Sequence, residues 1–301
     1  MVDVRNLKKY FPVKGGFIQH TLGYVQAVDD ISFTIQKGKV LGLVGESGCG
    51  KSTAGRTILG LTPATEGQVL IDGVDVCTAT GDAMHTLRKK MQIIFQDPYS
   101  SLDPRMTVYD LIGEGLAAHK LVSSRIELEE KVEAIMEKCG LFPEQALRFP
   151  HQFSGGQRQR ISIARALAAS PEFVVCDEAV SALDVSIQAQ IINLLKDMQE
   201  DMGLTYLFIS HDLSIVRFIS DDVAVMYLGQ IVEMGSKKQI FDAPAHPYTQ
   251  ALLSAAPAFT RKEKREKKRI LLEGDLPTPY NPPAGCRFAG RCPYAGAECR
   301  K

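Results

Sequence analysis

The sequence predicts an α/β fold in which a mostly parallel sheet is covered by helices. Three short, apolar, β-prone runs each end in a break that is followed by a stretch with helical spacing: Val40–Val44, Phe173–Cys176 and Tyr206–Ile209. Such alternation of strands and helices is typical of parallel sheets. With 301 residues, of which 45% are apolar and 23% charged, the chain can also bury a substantial core.

Further elements follow from local periodicity. Residues 25–35 and 68–76 partly alternate and are rich in valine and isoleucine, which predicts strands with one solvated face. Elsewhere apolar residues recur every three or four positions, which predicts helices. These helical stretches are Lys51–Leu61, Thr107–Leu147, Ser186–Met202 and Leu213–Ile219.

Charge and hydropathy exclude several classes of protein. Lys+Arg and Asp+Glu number 35 each, so a nucleic-acid binder that relies on a general basic field is not expected. No apolar run approaches the roughly 18 residues that a membrane span requires. The N-terminal residues MVDVRNLKKYFPV also lack the apolar segment of a secretory signal. We therefore expect a cytosolic protein, which can still dock on a membrane protein.

A glycine-rich loop between the first buried strand and the following helix matches the Walker A pattern. Its glycines allow backbone N–H groups to turn inward around phosphate oxygens, and the helix that follows directs its positive end at the same anion. Lys51 is expected to reach the β- and γ-phosphates, Ser52 to ligate Mg²⁺ and Thr53 to touch the α-phosphate. The loop consists of Gly45, Glu46, Ser47, Gly48, Cys49, Gly50, Lys51 and Ser52.

Two carboxylates, Asp177 and Glu178, end the run Phe173–Cys176. Ligands of parallel sheets bind at the C-terminal edge of the strands, where these acids are expected to lie. Asp177 would hold Mg²⁺ through water, and Glu178 would orient or deprotonate the water that attacks the γ-phosphate. Taken alone, the pair also fits an ordinary strand end and helix cap.

A second anion-binding helix start is predicted at Ser154, Gly155, Gly156 and Gln157, ahead of the helical run Ile161–Ala169. One nucleotide does not need two such starts on the same phosphate. This Ser-Gly-Gly-Gln resembles the signature motif of the ATP-binding-cassette (ABC) ATPases, in which the signature of one subunit closes over the γ-phosphate held by the other. The resemblance implies a dimer and a P-loop NTPase (RecA-like) fold with an antiparallel β subdomain and an inserted α-helical subdomain at about 98–165.

The same resemblance extends to four more positions. Gln96 is similar to the glutamine of the loop that senses Mg²⁺ and contacts the transporter subunits, and His211 is similar to the switch histidine near the γ-phosphate. The segment from Ser181 to Asp184 resembles the D-loop. Tyr10 matches the aromatic residue that stacks on adenine, with Phe11 as the alternative.

The sequence departs from the family at Ala179, where many members have proline after the catalytic glutamate. Loss of this proline is expected to loosen the turn that carries Glu178 and to affect turnover. It also leaves open a catalytically degenerate cassette that pairs with an active partner, although Glu178 and His211 are both present.

The C-terminal part resembles the extension of oligopeptide and dipeptide importer ATPases of the F type, on the evidence of His246–Leu253, Asn281–Ala295 and Gln96–Val108. The resemblance implies an ATPase that powers import with a second ATPase subunit (a paralogue or a second copy), two permeases and an external binding protein, at the cytoplasmic side of the cell membrane. Nickel chelates, glutathione or short sugars remain alternative cargoes, and a non-transport ABC ATPase the more distant alternative. The expected division is an ATPase domain over 1–242 and a small irregular extension over 243–301.

Three cysteines lie close together near the end of the sequence: Cys286, Cys292 and Cys299. Closely spaced thiolates can hold a 4Fe–4S cluster or Zn²⁺, and some relatives of this extension are thought to carry an iron–sulfur cluster. Such a site usually takes four ligands, and the sequence stops at Lys301. We therefore expect either that a fourth ligand has been lost by truncation or that the cysteines are vestigial.

A run of mostly basic residues, Arg261–Arg269, precedes this tail. The run is typical of a solvated linker or an exposed helix. Contact with anionic lipid headgroups is the alternative.

Overall fold

Strand and helix alternate along much of the chain in the computed structural model, which describes residues 1–15, 20–256, 269–274, 277–282 and 284–301. The chain divides into two units. The first contains Met1–Gln36, Val40–Thr78 and Phe208–Lys301, and the second contains Lys37–Lys39 and Ala79–Leu207.

The strands of the described ranges, in chain order, are β1 (Val2–Gly15), β2 (His20–Ile35), β3 (Val40–Val44), β4 (Glu66–Ile71), β5 (Val74–Asp75), β6 (Met91–Ile94), β7 (Phe173–Asp177), β8 (Thr205–Ile209), β9 (Asp222–Tyr227) and β10 (Gln230–Ser236). The α-helices are α1 (Lys51–Ile58), α2 (Gly81–Lys90), α3 (Pro98–Ser101), α4 (Val108–Ala118), α5 (Arg125–Lys138), α6 (Gly155–Leu167), α7 (Val185–Met202), α8 (Leu213–Ile219), α9 (Lys237–Asp242) and α10 (Pro247–Ala255).

The first unit contains an antiparallel sheet with the strand order β2-β1-β4-β5. It also contains β3, which pairs in parallel with β9, and β10, which pairs antiparallel with β9. Every residue of β3 is buried. Helix α8 approaches this strand closely, because a Cβ on Gly42 would lie 2.6 Å from Val216 Cγ1. The glycine therefore allows the helix to pack against the buried strand.

The second unit combines helices with the parallel pair β6 and β7, which are neighbours in the order β8-β7-β6. Strand β7 is buried at all five residues, as expected of a parallel strand covered on both faces. Helix α4 begins at a capping box, in which the Thr107 hydroxyl accepts from Asp110 N–H and the Asp110 carboxylate accepts from Thr107 N–H. Helix α7 ends at Gly203, which has φ of 65°.

The predicted α/β fold is confirmed, and β3 and α8 have the predicted bounds. Residues 68–76 differ from the single strand expected, because Asp72 and Gly73 both have positive φ and form a tight turn between β4 and β5. Helix α1 ends at Ile58, ahead of Leu61, because Gly60 adopts φ of 66°. The strands β1, β6, β9 and β10 were not predicted.

None of the helices in the described ranges combines the length and apolar character that a bilayer crossing requires. Of the basic run Arg261–Arg269, residues 261–268 lie outside the described residues. The choice between a linker and a lipid-binding segment therefore stays a prediction.

Candidate functional site

The predicted phosphate loop lies in the first unit and joins β3 to α1. Two of its glycines are required by close backbone contacts. A Cβ on Gly45 would lie 2.2 Å from Met226 O, and one on Gly50 would lie 1.9 Å from Ala27 O. Gly50 also has φ of 107° and caps the N-terminus of α1. No other residue fits at these two positions without moving the neighbouring strands.

Lys51, the first residue of α1, is almost completely buried, with 4% of its surface exposed. Its ammonium group donates to Gly45 O at 2.9 Å and to Glu46 O at 3.0 Å. The positive charge is thus held over the loop by the loop's own carbonyl groups. A glycine cradle, a helix N-terminus and a buried lysine together form an anion-binding site that fits a nucleoside triphosphate.

Tyr10 lies on β1 in the same unit, and its hydroxyl donates to the Asp29 carboxylate. Burial, followed by this carboxylate, raises the pKa of the Tyr10 hydroxyl, which therefore stays protonated. Asp29 N–H donates to Gly229 O, and Gly229 N–H donates to Cys49 O, both at 2.8 Å. The predicted adenine-stacking residue is thus connected to the phosphate loop. The alternative, Phe11, is 40% exposed on the adjoining position of the strand.

His211 follows β8 in the first unit and is exposed. The next residue, Asp212, caps α8 by accepting from Ser214 N–H at 2.8 Å. Asp212 N–H in turn donates to Ser210 Oγ at 3.0 Å. The residues on both sides of the predicted switch histidine are therefore fixed by local hydrogen bonds.

In the second unit, the predicted residues Gln96, Glu178 and Ser181 form one hydrogen-bonded group, and Asp177 precedes Glu178 in the chain. Asp177 is the buried last residue of β7, and Glu178 follows it with φ of 50°, in the left-handed region. Gln96 Nε2 donates to Glu178 Oε2 at 2.9 Å. The Glu178 carbonyl accepts from both Ser181 N–H (3.1 Å) and Ser181 Oγ (3.0 Å). The predicted glutamine, glutamate and first D-loop residue therefore form one hydrogen-bonded group.

The predicted signature begins α6 with a capping box. Gln157 N–H donates to Ser154 Oγ at 3.3 Å, and Ser154 N–H donates to Gln157 Oε1 at 3.0 Å. A Cβ on Gly156 would lie 2.6 Å from Ile187 Cγ2, so this glycine allows α6 to pack against α7. Asp184, the last D-loop residue predicted, stands at the N-cap position of α7 and makes no side-chain capping bond.

Two further residues, which were not predicted as site residues, contact the phosphate loop from the C-terminal part of the first unit. Glu46 N–H donates to the Tyr248 hydroxyl at 2.9 Å, and Arg291 Nη1 lies 3.3 Å from Glu46 Oε2. Tyr248 and Arg291 follow Glu46 in the sequence by 202 and 245 residues. In the sequence, these contacts were indicated by nothing more than the resemblance of the surrounding segments to the C-terminal extension of the family.

Arg287 also lies in this C-terminal part and is buried, with 7% of its surface exposed. Its guanidinium group donates to Leu228 O, Gln26 Oε1 and Asp29 Oδ2. Burial lowers the pKa of the Arg287 guanidinium from its usual high value, and Asp29 opposes this effect. Arg287 thus joins the C-terminal part to the carboxylate that binds Tyr10.

The structure gives no support for a metal site at the three C-terminal cysteines. The backbone N–H of Cys286 donates to Cys299 O at 2.9 Å, so the two ends of the segment meet. Among the described residues, however, no group of three or more His, Cys, Asp or Glu side chains is arranged to hold a metal ion. The iron–sulfur cluster considered for Cys286, Cys292 and Cys299 therefore has no support.

Comparison with known families gives two matches. The model of the family described as "ABC transporter" matches residues 28–181. The model described as "Oligopeptide/dipeptide transporter, C-terminal region" matches residues 232–299.

Similar characterised proteins match nearly the whole chain. The oligopeptide transport ATP-binding protein AppF of Bacillus subtilis is 52% identical over 100% of this chain and 92% of its own length. OppF of Salmonella typhimurium is 48% identical over 99% of this chain and 90% of its own, and the dipeptide transport ATP-binding protein DppF of Haemophilus influenzae is 48% identical over 100% and 91%.

Solved structures are similar over a smaller part of the chain. The dimeric ATP-binding cassette MJ0796, in a post-hydrolysis state with ADP and Pi, has a TM-score of 0.70 and 28% identity over 79% of this chain and 99% of its own. The cbiO1 protein of Clostridium perfringens, part of an ABC transporter complex, has a TM-score of 0.68 and 27% identity over 80% and 90%.

Proposed function

Since this chain belongs to the ABC transporter family of ATPases and has the P-loop NTPase fold, we propose that it hydrolyses ATP to power import of oligopeptides or dipeptides. The observation that carries ATP binding is the phosphate loop, in which buried Lys51 and two sterically required glycines form an anion cradle. The peptide cargo is supported by the full-length similarity to oligopeptide and dipeptide transport ATP-binding proteins and by the C-terminal match.

In the first unit, the loop from Gly45 to Thr53 binds the phosphates, with the Lys51 ammonium neutralising the β- and γ-phosphates. The ring of Tyr10 stacks on adenine while its hydroxyl remains bonded to Asp29. His211 acts near the γ-phosphate. Ser52 supplies one hydroxyl oxygen of the kind that Mg²⁺ accepts as a ligand.

In the second unit, Asp177 and Gln96 supply further oxygen atoms suited to Mg²⁺, which when bound neutralises charge on the phosphates. Glu178 orients or deprotonates the attacking water. Its hydrogen bond from Gln96 and the two bonds from Ser181 to its carbonyl hold the carboxylate in place. Because phosphoryl transfer depends mainly on positioning and charge neutralisation, this small set of groups is sufficient.

The signature, Ser154 to Gln157, acts on the nucleotide of a second ATPase subunit, and the D-loop residues Ser181 and Asp184 act at the same interface. The N-terminus of α6, with its helix dipole, provides the phosphate contact. The dimeric state of the structural neighbour MJ0796 supports this arrangement. Two permeases and an external binding protein complete the importer, so the chain is peripheral to the membrane. The division into 1–242 and 243–301 stays a prediction.

ATP binding is tested by titrating the full chain with a fluorescent ATP analogue in the presence of Mg²⁺. Lys51→Ala should abolish binding, whereas Lys138→Ala, an exposed lysine at the end of α5, should not change it. Glu178→Gln should bind as tightly as the wild type but release phosphate more than about 100-fold more slowly, since general-base positioning contributes about 10²–10⁴-fold. Parental turnover by Glu178→Gln would show that the catalytic assignment is wrong.

The cargo is tested in cells that lack their own copy of this chain and are complemented with the wild type or a variant. Replacing the wild type by Glu178→Gln should stop accumulation of labelled di- and oligopeptides, whereas the exposed control Glu137→Gln on α5 should support it. Uptake of nickel chelates, glutathione or short sugars, measured in the same cells, distinguishes the alternative cargoes. If Glu178→Gln stops uptake of one of these solutes and leaves peptide uptake unchanged, that solute replaces the proposed cargo. The ATPase assignment is then unaffected.

A further inference from the structure

Glu46 is the point at which the C-terminal part holds the phosphate loop. Three of its groups are bonded: its N–H donates to the Tyr248 hydroxyl (2.9 Å), its carboxylate pairs with Arg291 (3.3 Å), and its carbonyl accepts from Lys51 (3.0 Å). All four residues belong to the first unit. Tyr248 and Arg291 lie within the range that matches the transporter C-terminal region. Two of the three contacts therefore come from outside the cassette match.

The local sequence explains why Tyr248 reaches the loop. Pro247 is the first residue of α10, and His246 Nδ1 accepts from Tyr248 N–H at 3.1 Å, which caps the helix. The Ala245 and His246 N–H groups are bound by the Glu233 carboxylate of β10, at 2.7 and 3.0 Å. The start of α10 is thus anchored on both sides of His246. These bonds fix the backbone from which the Tyr248 side chain extends to the phosphate loop.

Aromatic packing then fixes the Tyr248 ring. The ring lies 4.7 Å from that of Tyr227 and 5.6 Å from that of Phe288, measured between centroids. Tyr248 is fully buried. A buried hydroxyl that loses its partner is costly, so the bond to Glu46 N–H is favoured whenever α10 is in place. Burial also raises the pKa of the Tyr248 hydroxyl, which keeps it neutral.

The Arg291 contact is better shielded than a typical surface ion pair. The Arg291 side chain is 12% exposed and that of Glu46 is 31% exposed. Charge pairs with this little solvent contact are screened less than fully exposed pairs. The ion pair therefore restrains the Glu46 side chain, while Tyr248 restrains its backbone.

The Glu46 N–H donates to the Tyr248 hydroxyl, so it is not available to a phosphate oxygen. Tyr248 and Arg291 contact the loop at Glu46, where they occupy its N–H and its carboxylate. We propose that Tyr248 and Arg291 are positioning residues that hold Glu46, and with it the phosphate loop, in the conformation that binds ATP. The proposal rests on the proposed function, because it assumes that this loop binds nucleotide.

The consequence is that nucleotide affinity depends on the C-terminal part. A loop that is less firmly held spends a smaller fraction of time in the binding conformation, and the apparent affinity falls by that fraction. Tyr248→Phe keeps the ring and removes the hydroxyl, so we expect the dissociation constant for MgATP to rise about fivefold. Arg291→Gln should raise it about threefold. The maximal rate of phosphate release should stay within about twofold, because Glu178 and Gln96 are untouched.

The test is a titration of the full chain with a fluorescent ATP analogue and Mg²⁺, together with KM and kcat for phosphate release. Tyr206→Phe is the matched control, because Tyr206 is also fully buried and its hydroxyl donates to a carbonyl, Leu195 O, at 3.0 Å in the second unit. The control should bind MgATP like the wild type. Combining Glu46→Gln with Arg291→Gln completes a double-mutant cycle, in which Arg291→Gln should have no further effect once Glu46 is neutral.

The outcomes separate this proposal from the proposed function. A wild-type chain that does not bind nucleotide, or a Lys51→Ala variant that still does, would overturn both. Binding that depends on Lys51 but is unchanged in folded Tyr248→Phe and Arg291→Gln would overturn only the positioning role. A fall in kcat with an unchanged KM would also contradict it. If Tyr248→Phe does not fold, the Arg291 cycle decides the question.

Discussion

The side-chain amide of Gln96 donates a 2.9 Å hydrogen bond to the Glu178 carboxylate. The two residues follow neighbouring parallel strands, and each stands two positions beyond the last residues that pair between those strands, Ile94 and Cys176. Gln96 and Glu178 therefore stand opposite each other because the ends of β6 and β7 are aligned. The relationship follows from strand register as well as from side-chain chemistry.

Gln96→Ala should lower the rate of ATP hydrolysis more than it weakens nucleotide binding. Loss of the amide leaves the Glu178 carboxylate less well oriented, and we expect kcat to fall about tenfold with KM within about twofold. Steady-state phosphate release measures both constants. Gln92→Ala is the matched control, since Gln92 lies on β6 and its amide donates to Arg88 O at 3.0 Å. A change in KM alone would indicate that Gln96 acts on bound nucleotide and does not orient Glu178.

Ser181→Ala should loosen the turn that carries Glu178. The left-handed φ of 50° at Glu178 costs about 1–3 kcal/mol for a residue other than glycine, so the turn needs support. The Ser181 hydroxyl supplies one of two bonds to the Glu178 carbonyl, at 3.0 Å, and its loss should destabilise the fold by about 1 kcal/mol. We also expect a reduced kcat, and urea unfolding with phosphate release measures the two effects.

The matched control for this variant is Ser254→Ala. Ser254 Oγ also donates to a carbonyl three residues earlier, Ala251 O, at 2.7 Å. Because Ser254 Oγ also accepts from Ile270 N–H at 2.9 Å, this variant should be at least as destabilising, and it should have no effect on kcat. Equal losses of kcat in the two variants would contradict a specific role of Ser181 in the Glu178 turn.

The phosphate loop and the signature could be predicted from sequence because each depends on neighbouring residues. Gly45 and Gly50 are marked by their spacing to Lys51, and Ser154 is marked as a helix cap by the residues that follow it. The structure places the loop between β3 and α1 and caps α6 with Ser154. Local sequence is sufficient where local backbone geometry determines the element.

Strand β1 was harder to predict, because it is irregular. Its register with β2 shifts at several points, including between Val4 and Leu7, so the alternation of buried and exposed residues is interrupted. The contacts of Arg287 and Arg291 have no local signal, since Arg287 and its partner Asp29 are 258 residues apart in sequence. For the cysteines, spacing left open a cluster or vestigial residues, because spacing does not determine how thiol groups are directed in space.

Arg287→Met should be strongly destabilising. The side chains of Arg287 and Asp29 are 5% and 14% exposed, so removal of the guanidinium leaves a carboxylate without its charged partner in a poorly solvated site. Breaking such a pair from one side costs about 3–5 kcal/mol. Chemical unfolding followed by circular dichroism measures the loss. Adding Asp29→Asn should recover part of it, because the remaining amide carries no charge.

The comparison variant for Arg287 is Arg5→Gln. Arg5 pairs with Asp3 at 2.6 Å, but its side chain is 58% exposed. Exposed pairs contribute about 0–1 kcal/mol, so this variant should unfold at nearly the wild-type denaturant concentration. Equal destabilisation by Arg5→Gln and Arg287→Met would contradict the role assigned to burial.

The N-terminal turn of α5 should weaken in acid because of Glu127. Its carboxylate accepts from Ser123 N–H (2.7 Å), Lys131 Nζ (2.9 Å) and Ser123 Oγ (2.8 Å), and these contacts hold the pKa of Glu127 at about 2, below its usual value. Since the pKa is lower in the folded state, the stabilising contribution is complete above the unfolded pKa of about 4.3 and is lost as the pH falls towards 2. Amide hydrogen exchange at Ser123 should therefore become less protected over this interval. Glu127→Gln should remove the pH dependence, and Glu133→Gln, exposed on the same helix, should retain it. A Glu127 carboxyl that titrates by NMR near its usual pKa would contradict the prediction.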